Sequence, residues 1–322
     1  MIHQKIPYVE VKAQLEKAST VTIVSHLNPD ADTLGTALGI YALLSKERSK
    51  RVEIVNLSND LPLYLDFLPY YKKIKHTMEF SESLIISCDC GSVNRLGIDI
   101  SGREVLNIDH HQSNTAYGTI NVVIPEYASA SQVAFVLFDA LYEIGEDAAT
   151  CFYAGLLSDT RYFTTTSVNA EVFGVAKALI DKGAKCEEVA RNFTQRNALA
   201  SLRILEKALH SLTLHKEARV AMLHVSKEDI SSSGASVADM EGIVDYGRSL
   251  VTVEVAVFVM DLGSELRISL RSKSVDVSSL ALLYGGGGHK VASGFTLSQC
   301  NLQETMDKIL KSIDELGILD EV

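Results

Sequence analysis

The stretch at 21–35, VTIVSHLNPDADTLG, constrains the fold of this chain more than any other. Val21, Thr22, Ile23 and Val24 form a β-branched run that reads as a buried strand, and a polar cluster from His26 to Asp32 follows where that strand ends. A helical pattern, TLGTALGIYALLSKE, begins directly afterwards. Strand, polar turn and helix in that order open an α/β sheet, in which ligands sit beyond the carboxyl ends of the strands. One imidazole and two carboxylates, His26, Asp30 and Asp32, fall within seven residues, and Pro29 stiffens the backbone between them. Taken alone, the same residues also describe an Asn-, Pro- and Asp-rich turn beside a helix N-cap.

The pattern recurs down the first half of the chain. A first helix is expected from Pro7 through VEVKAQLEK, strands at 51–55, 84–87 and 105–108, and a short helix with a loop over 61–73. The third and fourth strands end in Asp89 and in Asp109, His110 and His111. An Asp just past a strand is often only a turn former. Three adjacent metal-competent side chains at the end of an apolar strand are not something packing requires. Cys88 and Cys90 flank Asp89 with a one-residue gap, which is poor geometry for one zinc, so both read as packing residues. Helices are expected at 130–144 and 148–157, the second delivering Asp159 at its end. A carboxylate at a helix C-terminus is electrostatically disfavoured unless a cation lies close by.

Composition sets limits on what such a chain can do. With 322 residues, 47% of them hydrophobic, it can fill one large or two medium domains. Its start is polar and lacks the apolar core of a secretory signal, and the apolar run at 250–260 is too short to span a bilayer, so no membrane partner is expected. Five scattered cysteines do not suggest a disulfide framework and point to a reducing cytoplasm. A net charge of −11 disfavours a long polyanion. A nucleic-acid substrate should therefore be short and held locally, and no long duplex is expected.

The second half reads differently. A helical region at 170–209 leads to strands at 218–225, 250–260 and 265–272, the middle one apolar on both faces and so central in its sheet. In the last of these, alternation puts Arg267, Ser269 and Arg271 on one face, as an ordinary solvated basic face would also do. Close behind come four glycines at 285–288, then His289 and Lys290. Such a run is either a flexible loop or a backbone able to approach and cradle a phosphate. The expected architecture is α/β: a doubly wound, mainly parallel sheet over 1–187, a connecting helix over 188–209, and a smaller α/β domain over 210–322. The active site is expected in the cleft between the two domains.

Together these residues resemble the DHH phosphoesterases. His26-Leu-Asn-Pro-Asp30-Ala-Asp32, Asp89 with Arg95-Leu96-Gly97, Asp109-His110-His111 and Asp159 are similar to the four motifs of that family. Gly285 to Lys290, followed by Ala292-Ser293-Gly294-Phe295, is similar to the signature of the DHH-associated C-terminal domain. Length and paired domains look most like the NrnA-type group. The resemblance implies one metal held by His26, Asp30 and Asp89, and a second held by Asp32, Asp89, His110 and Asp159, with Asp89 bridging. It implies that His111 faces the substrate phosphate, that Asp109 orients an imidazole, and that Arg95, Arg267, Ser269, Arg271, Gly286, Gly287 and His289 contact substrate. Where relatives often have Gly-Asp-Ala and Gly-Ser in the first motif, this chain has Ala31, Thr33 and Thr36, which leaves the ligands intact.

The chemistry follows from the ligand set. Two ions about 3.5 to 4 Å apart activate a water, neutralise the phosphate and stabilise the leaving oxygen. Carboxylates with imidazoles favour Mn²⁺, with Mg²⁺ or Co²⁺ as alternatives. The resemblance implies hydrolysis of short RNA and dephosphorylation of 3′-phosphoadenosine 5′-phosphate (pAp). The separation of metal ligands from basic residues adds an expectation: a nucleotide held by its 5′-phosphate presents its 3′-side phosphate to the metals, so short 5′-phosphorylated RNA is trimmed from its 5′ end and pAp loses its 3′-phosphate. Competing readings are a linear or cyclic dinucleotide phosphodiesterase, a RecJ-like single-strand exonuclease, a family II pyrophosphatase and a non-catalytic nucleotide-binding regulator. A homodimer is compatible with all of them.

Overall fold

The computed structural model describes residues 6–298 and 300–320; residues 1–5 of the polar start lie outside the described residues. The chain divides into two compact units, 1–196 and 197–322.

The first unit begins with α1 (Tyr8–Lys17), for which Pro7 is the N-cap. It continues through β1 (Thr20–Ser25), α2 (Ala31–Leu44), β2 (Arg51–Val55), β3 (Ile74–Lys75), β4 (Leu84–Cys88), β5 (Val105–Asp109) and β6 (Ile120–Val123). Four helices close it: α3 (Ala130–Asp139), α4 (Glu146–Asp159), α5 (Ala170–Asp181) and α6 (Cys186–Thr194). The strands form one parallel sheet in the order β3-β2-β1-β4-β5-β6. Strand order reverses between β1 and β4, and that reversal opens a crevice at the carboxyl ends of both strands. The main core lies on the helical face, around Leu34, Leu38, Phe138 and Phe152. A smaller cluster of Val24, Ile85, Cys90, Leu96 and Val105 covers the other face.

Three details differ from the sequence expectation. The edge strands β3 and β6 are too short and too partly buried to leave a readable pattern. The segment 61–73 holds two 3₁₀ turns at Leu63–Leu65 and Tyr71–Lys73 rather than a helix, because Pro62 and Pro69 each interrupt a helical ladder. Helix α3 stops at Asp139 instead of 144, since Gly145 is already the N-cap of α4 and the residues between must turn the chain.

Glycines on α2 and α4 let their backbones meet. A Cβ at Gly35 would lie 2.6 Å from the Cys151 carbonyl oxygen, and one at Gly39 would overlap the Phe152 ring. A glycine inside a helix costs about 1 kcal/mol relative to alanine, which this close packing offsets. The approach matters for chemistry because Asp32 is on α2 and Asp159 ends α4.

The second unit contains α7 (Leu199–His210), β7 (Thr213–His215), β8 (Val220–Val225), α8 (Lys227–Ser233), α9 (Ile243–Arg248), β9 (Val255–Asp261) and β10 (Glu265–Ser272). After them come α10 (Ser278–Leu283), β11 (Gly287–His289), β12 (Ala292–Ser298) and α11 (Leu302–Glu315). Its mixed sheet runs β11-β12-β10-β9-β8-β7. Strand β9 is internal, as its apolar faces require. Val255, Val257 and Val259 pack toward α10 and α11, while Ala256, Phe258 and Met260 pack among residues of α7 and α9. It starts at Val255 rather than 250, because Val253 donates to the Leu250 carbonyl and closes a turn there. No described helix is long and apolar enough to cross a membrane.

Replacing Gly35 by alanine is expected to destabilise the protein by about 1 to 3 kcal/mol, because the clash is with backbone and cannot be relieved by a rotamer change. Urea unfolding of the variant checks this; an unchanged midpoint would show that the helices can separate freely.

Candidate metal centre

The ligands come from the carboxyl ends of three strands and from two helices. His26 follows β1 and is buried, with Nε2 3.6 Å from Asp89 Oδ2. Its Nδ1 lies 2.8 Å from the Leu27 carbonyl, which accepts only if Nδ1 carries the proton, so Nε2 is the lone-pair nitrogen. Arg95 has its Nη2 3.1 Å from the same Nδ1. With Nδ1 protonated that contact is no hydrogen bond, and Arg95 acts instead through its carbonyl, which accepts from the Leu27 amide at 2.7 Å. Asp30 is the N-cap of α2 and accepts from the Thr33 amide at 2.9 Å.

Asp32 is fully buried, and its two oxygens accept the first amides of α3, Ala130 N–H at 2.6 Å and Ser131 N–H at 2.9 Å. The positive end of that helix therefore faces the carboxylate. Gly155 makes the arrangement feasible, because a Cβ there would stand 2.0 Å from Ser131 Oγ and 2.6 Å from Asp32 Oδ1.

Asp89, just past β4, adopts the left-handed backbone with φ of 54°, an uncommon conformation for a residue with a side chain. Thr33 Oγ1 donates to its Oδ2 at 2.6 Å, whereas the buried Oδ1 has no hydrogen-bond partner. His110 sits among the carboxylates, with Nε2 3.3 Å from Asp159 Oδ2, 3.6 Å from Asp89 Oδ1 and 4.0 Å from Asp32 Oδ2. His111 Nδ1 donates to Asp109 Oδ1 at 2.7 Å. The buried Asp109 also accepts the His110 amide at 2.8 Å and the Asn114 side-chain amide.

Potential ligand atoms of His26, Asp30 and Asp89 lie within 4.8 Å of one another, as do those of Asp32, His110 and Asp159. A third grouping, Asp89 with His110 and His111, is as compact. His111 Nδ1, however, is taken by Asp109 and its proton faces away from an ion. The two groups that remain share Asp89 as their neighbour.

Electrostatics test whether cations fit. Burial first, then the Asp89 charge, pushes the Asp32 carboxyl up to about 7. Burial, then Asp32 and Asp89, raises Asp159 well above the usual carboxylate range. These groups cannot all ionise side by side without cations, and the orphaned Asp89 Oδ1 points into the same space. The residues thus fit divalent ions. His111 behaves oppositely: its hydrogen bond to Asp109 raises it to about 9, so it is an imidazolium at neutral pH.

Of the residues expected from sequence to contact substrate, Arg95 lies on the first unit beside His26, and the others assemble on the second unit. Across β10, β12 and β11, Arg271 is opposite Ala292, which is opposite His289; Ser269 is opposite Gly294, which is opposite Gly287. Paired residues share a face, so Arg267, Ser269, Arg271 and His289 flank a floor of Ala292, Gly294 and Gly287. The glycine run is not a free loop, because Gly287 to His289 pair with β12. Gly286 has no room for a side chain, since a Cβ would lie 2.2 Å from the Gly294 carbonyl.

Thr33, Ser131, Asn114 and Gly155 shape the centre; sequence marked Thr33 only as a departure from the first motif and gave the other three no role. Only Ser129, the N-cap of α3, left a signal, a serine ahead of an apolar helical run. Beyond Asp159, Arg161, Tyr162 and Phe163 take φ of 45°, 58° and 62° in succession. Each such residue costs about 1 kcal/mol, and Thr160 holds the turn: its carbonyl accepts the amides of Thr164 and Thr165, and its hydroxyl accepts that of Phe163.

Two family models match: the N-terminal domain of the DHH family over residues 20–156 and the DHHA1 domain over 218–316. The chain belongs to the DHH family. It is accordingly a hydrolase of the phosphoesterase type. It is 29% identical over 300 residues to the bifunctional oligoribonuclease and PAP phosphatase NrnA of Thermus thermophilus, covering 92% of this chain and 89% of that one. The structure of an exopolyphosphatase-related protein from Bacteroides fragilis superposes with a TM-score of 0.87 at 26% identity, over 96% of each chain. RecJ of Thermus thermophilus, solved with Mn²⁺, shares the fold with a TM-score of 0.58 at 16% identity, over 96% of this chain and 55% of that one.

Two outcomes are expected of this member of the DHH family. Because Asp32 holds a proton below about pH 7 in the metal-free protein, Mn²⁺ must displace it, and affinity falls as pH drops from 8 to 6. Calorimetry in buffers of different ionisation enthalpy reads the released protons; pH-independent affinity would refute the account. In metal-free protein, Asp109→Asn is expected to bring the His111 titration from about 9 down toward the ordinary histidine value of 6.5, followed by NMR.

Proposed function

We propose that this enzyme hydrolyses short 5′-phosphorylated oligoribonucleotides from the 5′ end, releasing nucleoside 5′-monophosphates, and removes the 3′-phosphate of pAp to give AMP. The observation that carries the reading is the pair of ligand groups meeting at Asp89, joined in one chain to a sheet face bearing Arg267, Ser269, Arg271 and His289. The curated relative from Thermus thermophilus, which matches along nearly its whole length, is named for both activities.

Residues His26, Asp30 and Asp89 would hold one ion, and Asp32, Asp89, His110 and Asp159 the other, with Mn²⁺ our first choice for both. When bound, the ions supply charge neutralisation at phosphorus and a water acidic enough to attack at neutral pH. The rest is done by the chain. Thr33 occupies one oxygen of Asp89 with a hydroxyl hydrogen bond and leaves the other facing the cluster. Asp109 fixes the His111 ring through Nδ1 and favours its cationic form, so its Nε2–H is oriented to hold a phosphate oxygen or protonate the departing alkoxide. Arg95 fixes the loop that carries His26 through its carbonyl.

On the second unit, Ser269, Arg271, Gly286, Gly287 and His289 would hold the 5′-phosphate and nucleotide. The same cut at the 3′ oxygen then gives a 5′-monophosphate from either substrate. Asp89→Ala is expected to lower turnover of pAp and of RNA of two to five nucleotides at least about 100-fold with Mn²⁺. A time course against long single-stranded DNA decides the reading: preference for the DNA, or equal cleavage of 5′-hydroxyl RNA, would overturn it.

A further inference from the structure

Three chain segments bring aromatic rings to one surface of the first unit. Tyr64 and Phe67 come from the turns after β2, Tyr162 from the left-handed turn after α4, and Phe193 from α6. The Phe193 ring is central: Tyr64, Phe67 and Tyr162 meet it edge-on at centroid separations of 6.3, 5.9 and 6.5 Å. Tyr64 is 45% and Tyr162 46% exposed, and Leu63 beside them is 74% exposed. The strained turn sorts its own rings. Phe163 is half-buried against the core and stacks on the exposed Phe173 at 5.3 Å, leaving Tyr162 to the Phe193 cluster.

Charge and position indicate what these rings meet. The chain is acidic overall, yet Arg161 adjoins Tyr162, Lys72 and Lys73 are exposed nearby in sequence, and Asp66 is forked by Arg196 and so neutralised. Lys72 acts with Arg196 on Asp66, which lies between Leu65 and Phe67 in the patch. Tyr162 is three residues from Asp159, at most about 11 Å of chain, which is within one or two nucleotides of the metal centre. Flat rings with a hydroxyl edge, next to Arg161 and within reach of a phosphate-cutting centre, suit the π-faces of nucleobases.

We propose that Tyr64 and Tyr162, bridged by Phe193, form a base-stacking platform for single-stranded RNA, taking the nucleotide on the 3′ side of the scissile phosphate. This assignment rests on the function proposed above. It separates the two substrates, because pAp carries no nucleoside beyond its 3′-phosphate and does not reach the platform, whereas every oligonucleotide does. Stacking is indifferent to base identity, as degradation of mixed short RNA requires.

The test uses Tyr64→Ala and Tyr162→Ala, with Tyr64→Phe and Tyr162→Phe as conservative partners. Binding of a fluorescent 5′-phosphorylated trinucleotide is followed by anisotropy with Ca²⁺, and kcat/KM is measured for the trinucleotide and for pAp with Mn²⁺. Each alanine variant is expected to weaken trinucleotide binding about tenfold and to lower the ratio of RNA to pAp kcat/KM by a similar factor, while the phenylalanine variants stay within about twofold of wild type. Thermal melting establishes that the variants are folded. Wild-type trinucleotide affinity in the alanine variants overturns the platform, as does an equal loss on both substrates, which would place the effect at the metal centre. Wild-type protein that binds the trinucleotide but cleaves neither substrate would sink the proposed function, while the anisotropy series would still decide the platform.

Discussion

Four carboxylates in one small space, two of them buried, repel each other, and much of the first unit is arranged around holding them there. Asp30, Asp32, Asp89 and Asp159 converge with two imidazoles, and burial pushes Asp32 and Asp159 toward their neutral forms. The protein offsets part of that cost without a cation. The α3 amides face Asp32, the α2 N-terminus takes Asp30, and Thr33 donates to Asp89. The remainder of the repulsion is what cations would relieve, and the donor set fits divalent ions.

The backbone bears this constraint visibly. Asp89 sits in a left-handed conformation, and the chain leaves Asp159 through three further left-handed residues. Such strain persists only where the surroundings over-determine it, here through the α2–α4 contact at Gly35 and Gly155 and through the hydrogen bonds of Thr160. Packing and electrostatics are therefore one problem in this unit. The glycines that let the helices touch also make room for Asp32 and its partners.

The second unit is organised differently, around a basic sheet face. Its sheet is buried on both sides around β9, but toward β10, β12 and β11 one face carries Arg267, Ser269, Arg271 and His289 over alanine and glycine. Small residues leave the backbone accessible there, and the flanking arginines supply positive charge. A DHH unit that gathers the metal-competent side chains and a DHHA1 unit that carries the basic face thus follow one another along the sequence.

Much of this was legible from residues alone. Apolar runs ending in His26, Asp89 and Asp109-His110-His111 marked strand ends, because a parallel strand is buried on both faces and its polar terminus stands out. Alternation in β10 announced its basic face for the same reason. The short edge strands, the 3₁₀ turns around Pro62 and Pro69 and the early end of α3 left no comparable period. The glycine run reads as loop or cradle in sequence, yet it is an edge strand, because pairing is decided by the neighbouring strand β12. What the sequence by itself determined is which side chains can bind metal and phosphate, and on which elements they ride. Only the tertiary structure decided that Thr33 holds Asp89, that α3 caps Asp32 from about a hundred residues away and that Tyr64, Tyr162 and Phe193 meet. Those are long-range contacts, set by how helices and strands pack, and no local pattern records them.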